Sequence, residues 1–234
     1  MADRYYIAEK VTNERVALSG AEAHHLLHVM RASVGDAVTL FDGSGWEFAA
    51  EVVKLARTEV LLNIVAREQI DRELPFSLTV GVALPKGDRQ KWLVEKLTEL
   101  GVARLVPLAT EHSVAQPTDK ALERLHRTVI EACKQCGRNR LMQIASATAW
   151  SAFVAERPAA ETCLLAHPAV TPERTWNPVA EGNISIAIGP EGGFTDDEFA
   201  QATNHSWQTI NLGQRILRVE TAAVALVGAI VVPG

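Results

Sequence analysis

Apolar and polar positions change rhythm about a third of the way along the chain. Before residue 70 the apolar runs are short and partly alternating. RYYIA, DAVTLFDG, WEFAAEVVKL and EVLLNIV are rich in β-branched and aromatic residues and predict strands. The DGSGW turn separates two of them. One helix is predicted among them, SGAEAHHLLHVMRAS, with Ser19 as its cap and Glu22 three positions on, as in a capping box. A small, mostly β, barrel-like domain follows from this pattern. REQIDRELP, from Arg67 to Pro75, is charged, ends in proline and reads as a linker.

Beyond it, strand-like runs alternate with helical ones. SLTVGVALP, ARLVPLAT, ETCLLAH, ISIAIG and QTINLG predict strands. DRQKWLVEKLTELG repeats apolar residues at helical spacing and stops at Gly101. DKALERLHRTVIEACKQCG predicts a helix ending at Gly137; TDDEFAQATNH and VETAAVALVGAIVV predict two more. Such alternation implies an α/β domain around a mainly parallel sheet. The expected division is 1–70, a linker over 71–75, and 76–234.

Composition narrows the class. The 234 residues are 47% hydrophobic and 22% charged, an ordinary globular balance. A net charge of −5 means that any nucleic-acid contact must use local basic patches. Three cysteines are too few for a disulfide framework and fit a reducing cytoplasm. MADRYYIAEK lacks the basic segment and apolar run of a signal peptide, and VALVGAIVV is far short of a membrane span, so a cytoplasmic protein that does not engage a membrane is expected.

The candidate chemistry begins at ISIAIGPEGGFTDDEF, where a strand runs through Gly189, Pro190, Glu191, Gly192 and Gly193 into a helix start. Neither common phosphate-loop spacing is present. Thr195 and Glu198 form a capping box, and Asp196 and Asp197 join Glu198 at the positive end of the helix dipole. A phosphate would meet these carboxylates as like charges, whereas a cationic or neutral ligand would not. A plain turn before a capped helix is the simpler alternative. NLGQRILRVETA, Asn211 to Ala222, also joins a strand to a helix, and LAHPAV, Leu165 to Val170, follows a third strand. Loops at the carboxyl ends of strands in an open α/β sheet line one crevice, so these three ends are expected to share a pocket.

HHLLHVMR, LPKGDRQKWLVEKLTELGV, AIGPEGGF and LGQRILRVETA, in this order along the chain, resemble the RsmE family of the SPOUT superfamily. EACKQCGRNR, with Glu131, Gln135 and Arg138 in matching places, adds to the likeness. The resemblance implies an α/β fold: a C-terminal trefoil-knot methyltransferase domain with a small N-terminal PUA-like β-barrel for RNA. It implies S-adenosyl-L-methionine as cofactor, methylation of N3 of a uridine in 16S ribosomal RNA, and a homodimer through the C-terminal domain. The expected cofactor residues are Leu165, His167 and Pro168 on one loop and Gly189, Pro190, Glu191, Gly192 and Gly193 on the second. Leu212, Gly213, Ile216, Leu217, Arg218 and Thr221 are expected on the third.

A uridine N3 carries a proton at neutral pH, so some group must accept it or stabilise the resulting anion. Arg218 facing a uracil oxygen and Glu220 accepting the proton or orienting Arg218 are the catalytic candidates. A structural ion pair between the two is the alternative. RNA contacts are expected from Lys86, Arg89 and Lys91, from Lys134, Arg138 and Arg140, and from Arg4, His24 and Arg31. No metal site is expected. Cys133 and Cys136 lack a second ligand pair, and His24 and His28 lack a third ligand. Three rival readings remain: methylation of another RNA position such as a ribose 2′-oxygen, a non-catalytic RNA-binding assembly factor, and a phosphate-binding α/β enzyme.

Overall fold

Val38 and Leu40, then Phe48, Ala50 and Val52, then Val60, Leu62 and Ile64 take alternate positions along three runs, and all are buried. Side chains alternate across a strand, so this spacing places them on one face of a sheet. In the computed structural model, which describes residues 3–114, 117–156, 162–168 and 182–232, they form one core with Tyr5, Leu18 and Leu26. The strands are β1 (Arg4–Tyr6), β2 (Arg15–Ser19), β3 (Ala37–Phe41), β4 (Trp46–Leu55) and β5 (Glu59–Gln69), in the order β1-β3-β4-β5-β2. β1 pairs with β3 in parallel; the other pairings are antiparallel.

Three local expectations are corrected here. Ser19 does stand at the helix start but makes no side-chain capping bond. The predicted single helix is a short α1 (Gly20–His24) followed by a π-helical turn, His25–Val29. The charged stretch that reads as linker begins as strand, because β5 stays paired with β4 as far as Trp46↔Gln69. Its last five residues are all exposed, so backbone pairing continues where no apolar alternation marks it. β2 went unrecognised for a similar reason, having a single buried residue, Leu18.

Residue contacts divide the chain into two units. One comprises Met1–Glu73 with Cys133–Leu141, and the other Leu74–Ala132 with Met142–Gly234. The second holds β6 (Leu78–Val82), α2 (Asp88–Glu99), β7 (Arg104–Ala109), most of α3 (Asp119–Cys136), β8 (Gln143–Ile144), β9 (Thr148–Ala149) and α4 (Trp150–Ala155). β10 (Thr162–Ala166), β11 (Ile184–Ile188), α5 (Asp196–Asn204), β12 (Gln208–Ile210) and α6 (Val219–Val231) follow. Its strands run β12-β10-β11-β6-β7-β8, all pairings parallel, with β9 also beside β7. Every residue of β11 is buried, as expected for a central strand covered on both faces. Trp150, Phe153, Leu165, Ala187, Phe194 and Trp207 pack in one cluster here. Burying a side chain the size of Leu165 or Phe153 contributes about 1.5–3 kcal/mol. α4 was not predicted, because six residues are too few to establish a helical period. It is held by Trp150, Phe153 and Val154, all buried.

Candidate functional site

β10 lies between β11 and β12, and all three are parallel, so their carboxyl ends open on the same edge of the sheet. The segments leaving them line an open cleft. His167 and Pro168 come from the first segment; Gly189, Pro190, Glu191, Gly193 and Phe194 from the second; Asn211 to Gly213 and Arg215 to Leu217 from the third. Ala166, Ile188 and Ala222 complete the lining.

The glycine loop is shaped from within. Gly193 has φ +75°, a backbone region costly for a residue with a Cβ, and its N–H donates to Pro190 O at 2.9 Å. At Gly189 a Cβ would sit 2.9 Å from the Phe194 ring, so glycine lets that ring fold back beneath the loop. The capping box predicted from sequence is present. Glu198 N–H donates to Thr195 Oγ1 at 3.2 Å, and Thr195 N–H donates to Glu198 Oε2 at 3.0 Å.

Glu198 also reaches outside its own helix. Its Oε1 accepts the N–H of Glu111 at 2.8 Å, and its carbonyl accepts the indole N–H of Trp150 at 2.9 Å. His112 Nδ1 lies 3.1 Å from Gly193 O, and Gly192 lies against the same imidazole. The loop after β7 is thus tied to the glycine loop at Gly193 and to the start of α5 at Glu198. Nothing at Glu111 or His112 signals this in the sequence, since the partners are about eighty residues away.

The other two segments are joined by Asn211. Its Nδ2 donates to Pro168 O at 3.0 Å, and its Oδ1 accepts the N–H of Gly213 at 2.7 Å. An asparagine two residues before the atom it caps is an Asx-turn, and the Asn-Leu-Gly spacing could have revealed it. His167 N–H donates to Ile210 O at 2.9 Å, and its ring packs on Phe199 at 4.7 Å between centroids. Burial holds the His167 imidazole below its ordinary pKa, against a weaker upward pull from Asp196.

Charge at the cleft is organised by a residue from α2. Arg89 Nη1 donates to Glu191 Oε1 at 2.6 Å and lies 3.7 Å from Glu220 Oε2, an ion-pair contact too long for a hydrogen bond. The Glu191 hydrogen bond is the main cause of a raised guanidinium pKa, with Glu220 adding to it. Glu220 is buried, its side chain 9% exposed, and Oε2 has no hydrogen-bond partner. Arg218 is exposed at the N-cap of α6. The alternative of a structural pair with Arg218 is not what forms at Glu220: the cation facing it is Arg89, from α2.

Ten of the expected cofactor residues line the cleft: His167, Pro168, Gly189, Pro190, Glu191, Gly193, Leu212, Gly213, Ile216 and Leu217. Four do not. Leu165 points into the core, Gly192 faces His112, and Arg218 and Thr221 are exposed at the start of α6. Phe194, Asn211, Arg215, Ala166, Ile188 and Ala222 were missed. The last three need the strand register and the placement of α6, which no local signal carries. Ala169 and Val170 of the first segment lie outside the described residues.

Three expected RNA contacts are corrected. Arg4, its side chain 9% exposed, donates to Glu47 Oε2 at 2.5 Å and to Asn139 Oδ1 at 2.7 Å. Lys134 pairs with Glu22 at 3.1 Å. Arg138, 4% exposed, pairs with Glu73. Burial works against the Glu47 carboxylate, but hydrogen bonds from Arg4 and Arg72 outweigh it and hold the pKa below the usual range. These cations serve the first unit's own packing. His24, Arg31, Lys86, Lys91 and Arg140 are exposed. The rings of His24 and His28 lie 4.7 Å apart, tilted at 53°, and no group of three or more metal-ligating side chains occurs among the described residues. Among these residues, no helix is long and apolar enough to cross a membrane.

Residues 72–231 match the model of the RNA methyltransferase domain, and residues 18–65 match that of the RNA methyltransferase PUA domain. The chain is 35% identical to ribosomal RNA small subunit methyltransferase E of Synechocystis over 95% of its length and 75% of the relative's. It is 27% identical to the Bacillus subtilis protein of that name, over 97% and 95%. A crystal structure of ribosomal RNA small subunit methyltransferase E from Neisseria gonorrhoeae bound to S-adenosyl methionine superposes with a TM-score of 0.89 at 30% identity, covering 98% of this chain and 96% of that one. A methyltransferase structure from Legionella pneumophila in complex with the same cofactor gives 0.90 at 30% identity, covering 98% and 97%. The chain belongs to the ribosomal RNA small subunit methyltransferase E family, with an α/β methyltransferase domain of the SPOUT type behind an N-terminal PUA-like domain.

Proposed function

We propose that this protein is an S-adenosyl-L-methionine-dependent methyltransferase acting on N3 of a uridine in 16S ribosomal RNA. One observation carries the reading: three segments from adjacent parallel strands converge on a cleft whose glycine loop presents Glu191 and precedes an acidic helix start. A phosphate-bearing ligand would be repelled there; an adenosyl group with a positively charged sulfur would not. Ile188, Phe194, Leu217 and Ala222 suit the flat faces of such a ligand, and the backbone at the glycines allows close approach. Relatives solved with this cofactor share the fold over nearly the whole chain.

The cofactor, when bound, supplies an electrophilic methyl group. The remaining work falls to the chain. Holding the base in line can supply roughly 7–11 kcal/mol of the barrier lowering. Glu220 offers a buried carboxylate oxygen with no hydrogen-bond partner, suited to accept the N3 proton. Arg218, exposed two residues earlier at the N-cap, offers positive charge to the uracil oxygen where negative charge builds. Exposed Lys86, Lys91, Arg31, His24 and Arg140 are the candidates for RNA contact.

The domain roles follow the same reading, with RNA engagement in residues 1–70 and methyl transfer in 76–234. The protein acts as a cytoplasmic homodimer through the C-terminal domain. α6 supports this by exposing Thr221, Ala225 and Ala229 at four-residue spacing, a small-residue face without charge. Light scattering would report the dimer, and Ala225→Arg is expected to convert it to monomer.

Mass mapping of 16S ribosomal RNA from a strain lacking the gene tests the activity. The uridine N3 methyl group should be absent and return on complementation. A methyl group that persists, or one lost from a ribose 2′-oxygen instead, overturns the assignment. Arg218→Ala should fold and bind cofactor yet methylate at least tenfold more slowly; normal turnover removes Arg218 from the chemistry.

A further inference from the structure

One guanidinium connects three elements at the edge of the cleft. Arg89 is the second residue of α2, Glu191 lies in the glycine loop, and Glu220 is the second residue of α6. The same nitrogen, Nη1, faces both carboxylates, at 2.6 Å and 3.7 Å. The distribution is uneven: the hydrogen bond goes to Glu191, whose side chain is 53% exposed, while buried Glu220 keeps an oxygen without a donor. Water would serve Glu191 without help. An arginine that spends its hydrogen bond on the exposed partner and leaves the buried one short is poorly placed for stability alone.

The charges sum simply. Within this three-residue group, Arg89 against Glu191 and Glu220 leaves one uncompensated negative charge; Arg215, which also lines the cleft, is common to every variant compared. We propose that Arg89 is a positioning residue that sets this residual charge, so that the site distinguishes the cationic methyl donor from the neutral thioether left after transfer. The inference rests on the cofactor reading given above. With the sulfonium present, the group of four charges is neutral; once the methyl group has left and Glu220 has passed the N3 proton on to solvent, the group is again one negative charge in excess, and the product is held less well than the donor. Without Arg89 two negative charges would face the cleft. The donor would then be favoured still more over the product, while Glu191 would lose the contact that fixes its direction.

The test is calorimetric and needs no turnover. Affinities for S-adenosylmethionine and S-adenosylhomocysteine are measured on the full-length wild type, Arg89→Gln, Arg89→Lys and Glu191→Gln. Their ratio cancels every contact the two ligands share. Arg89→Gln is expected to raise the preference for the donor about three- to tenfold, and Glu191→Gln to lower it by a similar factor, the size expected for one charge at partly screened distance. Arg89→Lys should keep the wild-type ratio, since it keeps the charge. Should Arg89→Gln fail to fold, the Glu191→Gln and Arg89→Lys arms decide. Parallel losses for both ligands, with the ratio unchanged in the neutral variants, would overturn the inference and leave Arg89 a structural clamp. A wild type that binds neither ligand would instead sink the cofactor reading itself.

Discussion

His112 Nδ1 lies 3.1 Å from the carbonyl oxygen of Gly193, linking the segment after β7 to the turn that shapes the cleft. The imidazole also fills the space in front of Gly192. Neither residue needs the other for its own element to form, so the contact acts on the loop's position. His112→Ala is expected to weaken S-adenosylhomocysteine binding about three- to tenfold in calorimetry while changing stability by less than about 1 kcal/mol, because a single exposed hydrogen bond is worth no more. A variant with unchanged affinity would show that the loop holds its shape alone.

Glu198 is the heavier support. Its carboxylate accepts from the backbone of both Thr195 and Glu111. Glu198→Ala loses the capping-box partner and leaves two backbone donors without acceptors. Together these should cost about 2–4 kcal/mol, read as a shift of the denaturant midpoint at constant slope. A cost below about 1 kcal/mol would mean that water replaces the carboxylate.

Gly189 and Phe194 give a coupled prediction. An alanine at 189 would place its Cβ 2.9 Å from the ring. Overpacking of this kind costs about 1–3 kcal/mol. Phe194→Leu in the same chain should recover part of that cost, so the double variant is expected to be more stable than the two single effects summed. Strict additivity in thermal melts would exclude the contact as the cause.

His167 gives a pH dependence. Its folded pKa lies below the ordinary value of 6.5 because burial disfavours the imidazolium. The unfolded chain therefore takes up this proton first as pH falls. The contribution to stability is fully present above pH 6.5 and is lost as pH drops through the folded pKa. Melting temperatures at pH 7.5 and pH 5 should fall more for the wild type than for His167→Asn. Equal falls would show that His167 titrates normally.

Arg138 and Lys91 separate packing from RNA contact. Arg138→Ala breaks a buried pair with Glu73 and should destabilise by about 3–5 kcal/mol. Lys91→Ala, at an exposed position, should change stability by less than about 0.5 kcal/mol but reduce the salt dependence of RNA binding by about one unit of slope. The reverse pattern would return Arg138 to the RNA surface.

Legibility followed sequence distance. The Thr195–Glu198 capping box and the stop of α2 at Gly101 are written within a few residues. In the structure the Gly101 N–H bonds Thr98 O and the Val102 N–H bonds Leu97 O, the double bond that closes a helix before glycine. α4, β8 and β9, at six, two and two residues, are too short for a period to declare itself. They exist because neighbours bury or pair with them. Basic residues were the least legible of all. Lys134 and Lys91 look alike as letters, yet one is paired with Glu22, 112 positions away, and the other faces solvent.

The amino-acid order alone determined the change from a mainly β segment to α/β alternation, the strand-to-helix turns at Gly189 and Gly213, and the acidic helix start behind the glycine loop. These depend on interactions between near neighbours, which periodicity and turn chemistry record. Tertiary structure decided that β10 would stand between β11 and β12, that Asn211 and His112 would tie separate segments together, and that Glu220 would face Arg89 rather than Arg218. Strand order and side-chain partnership are properties of packing in space. Residues more than a hundred positions apart become neighbours only once the sheet has assembled.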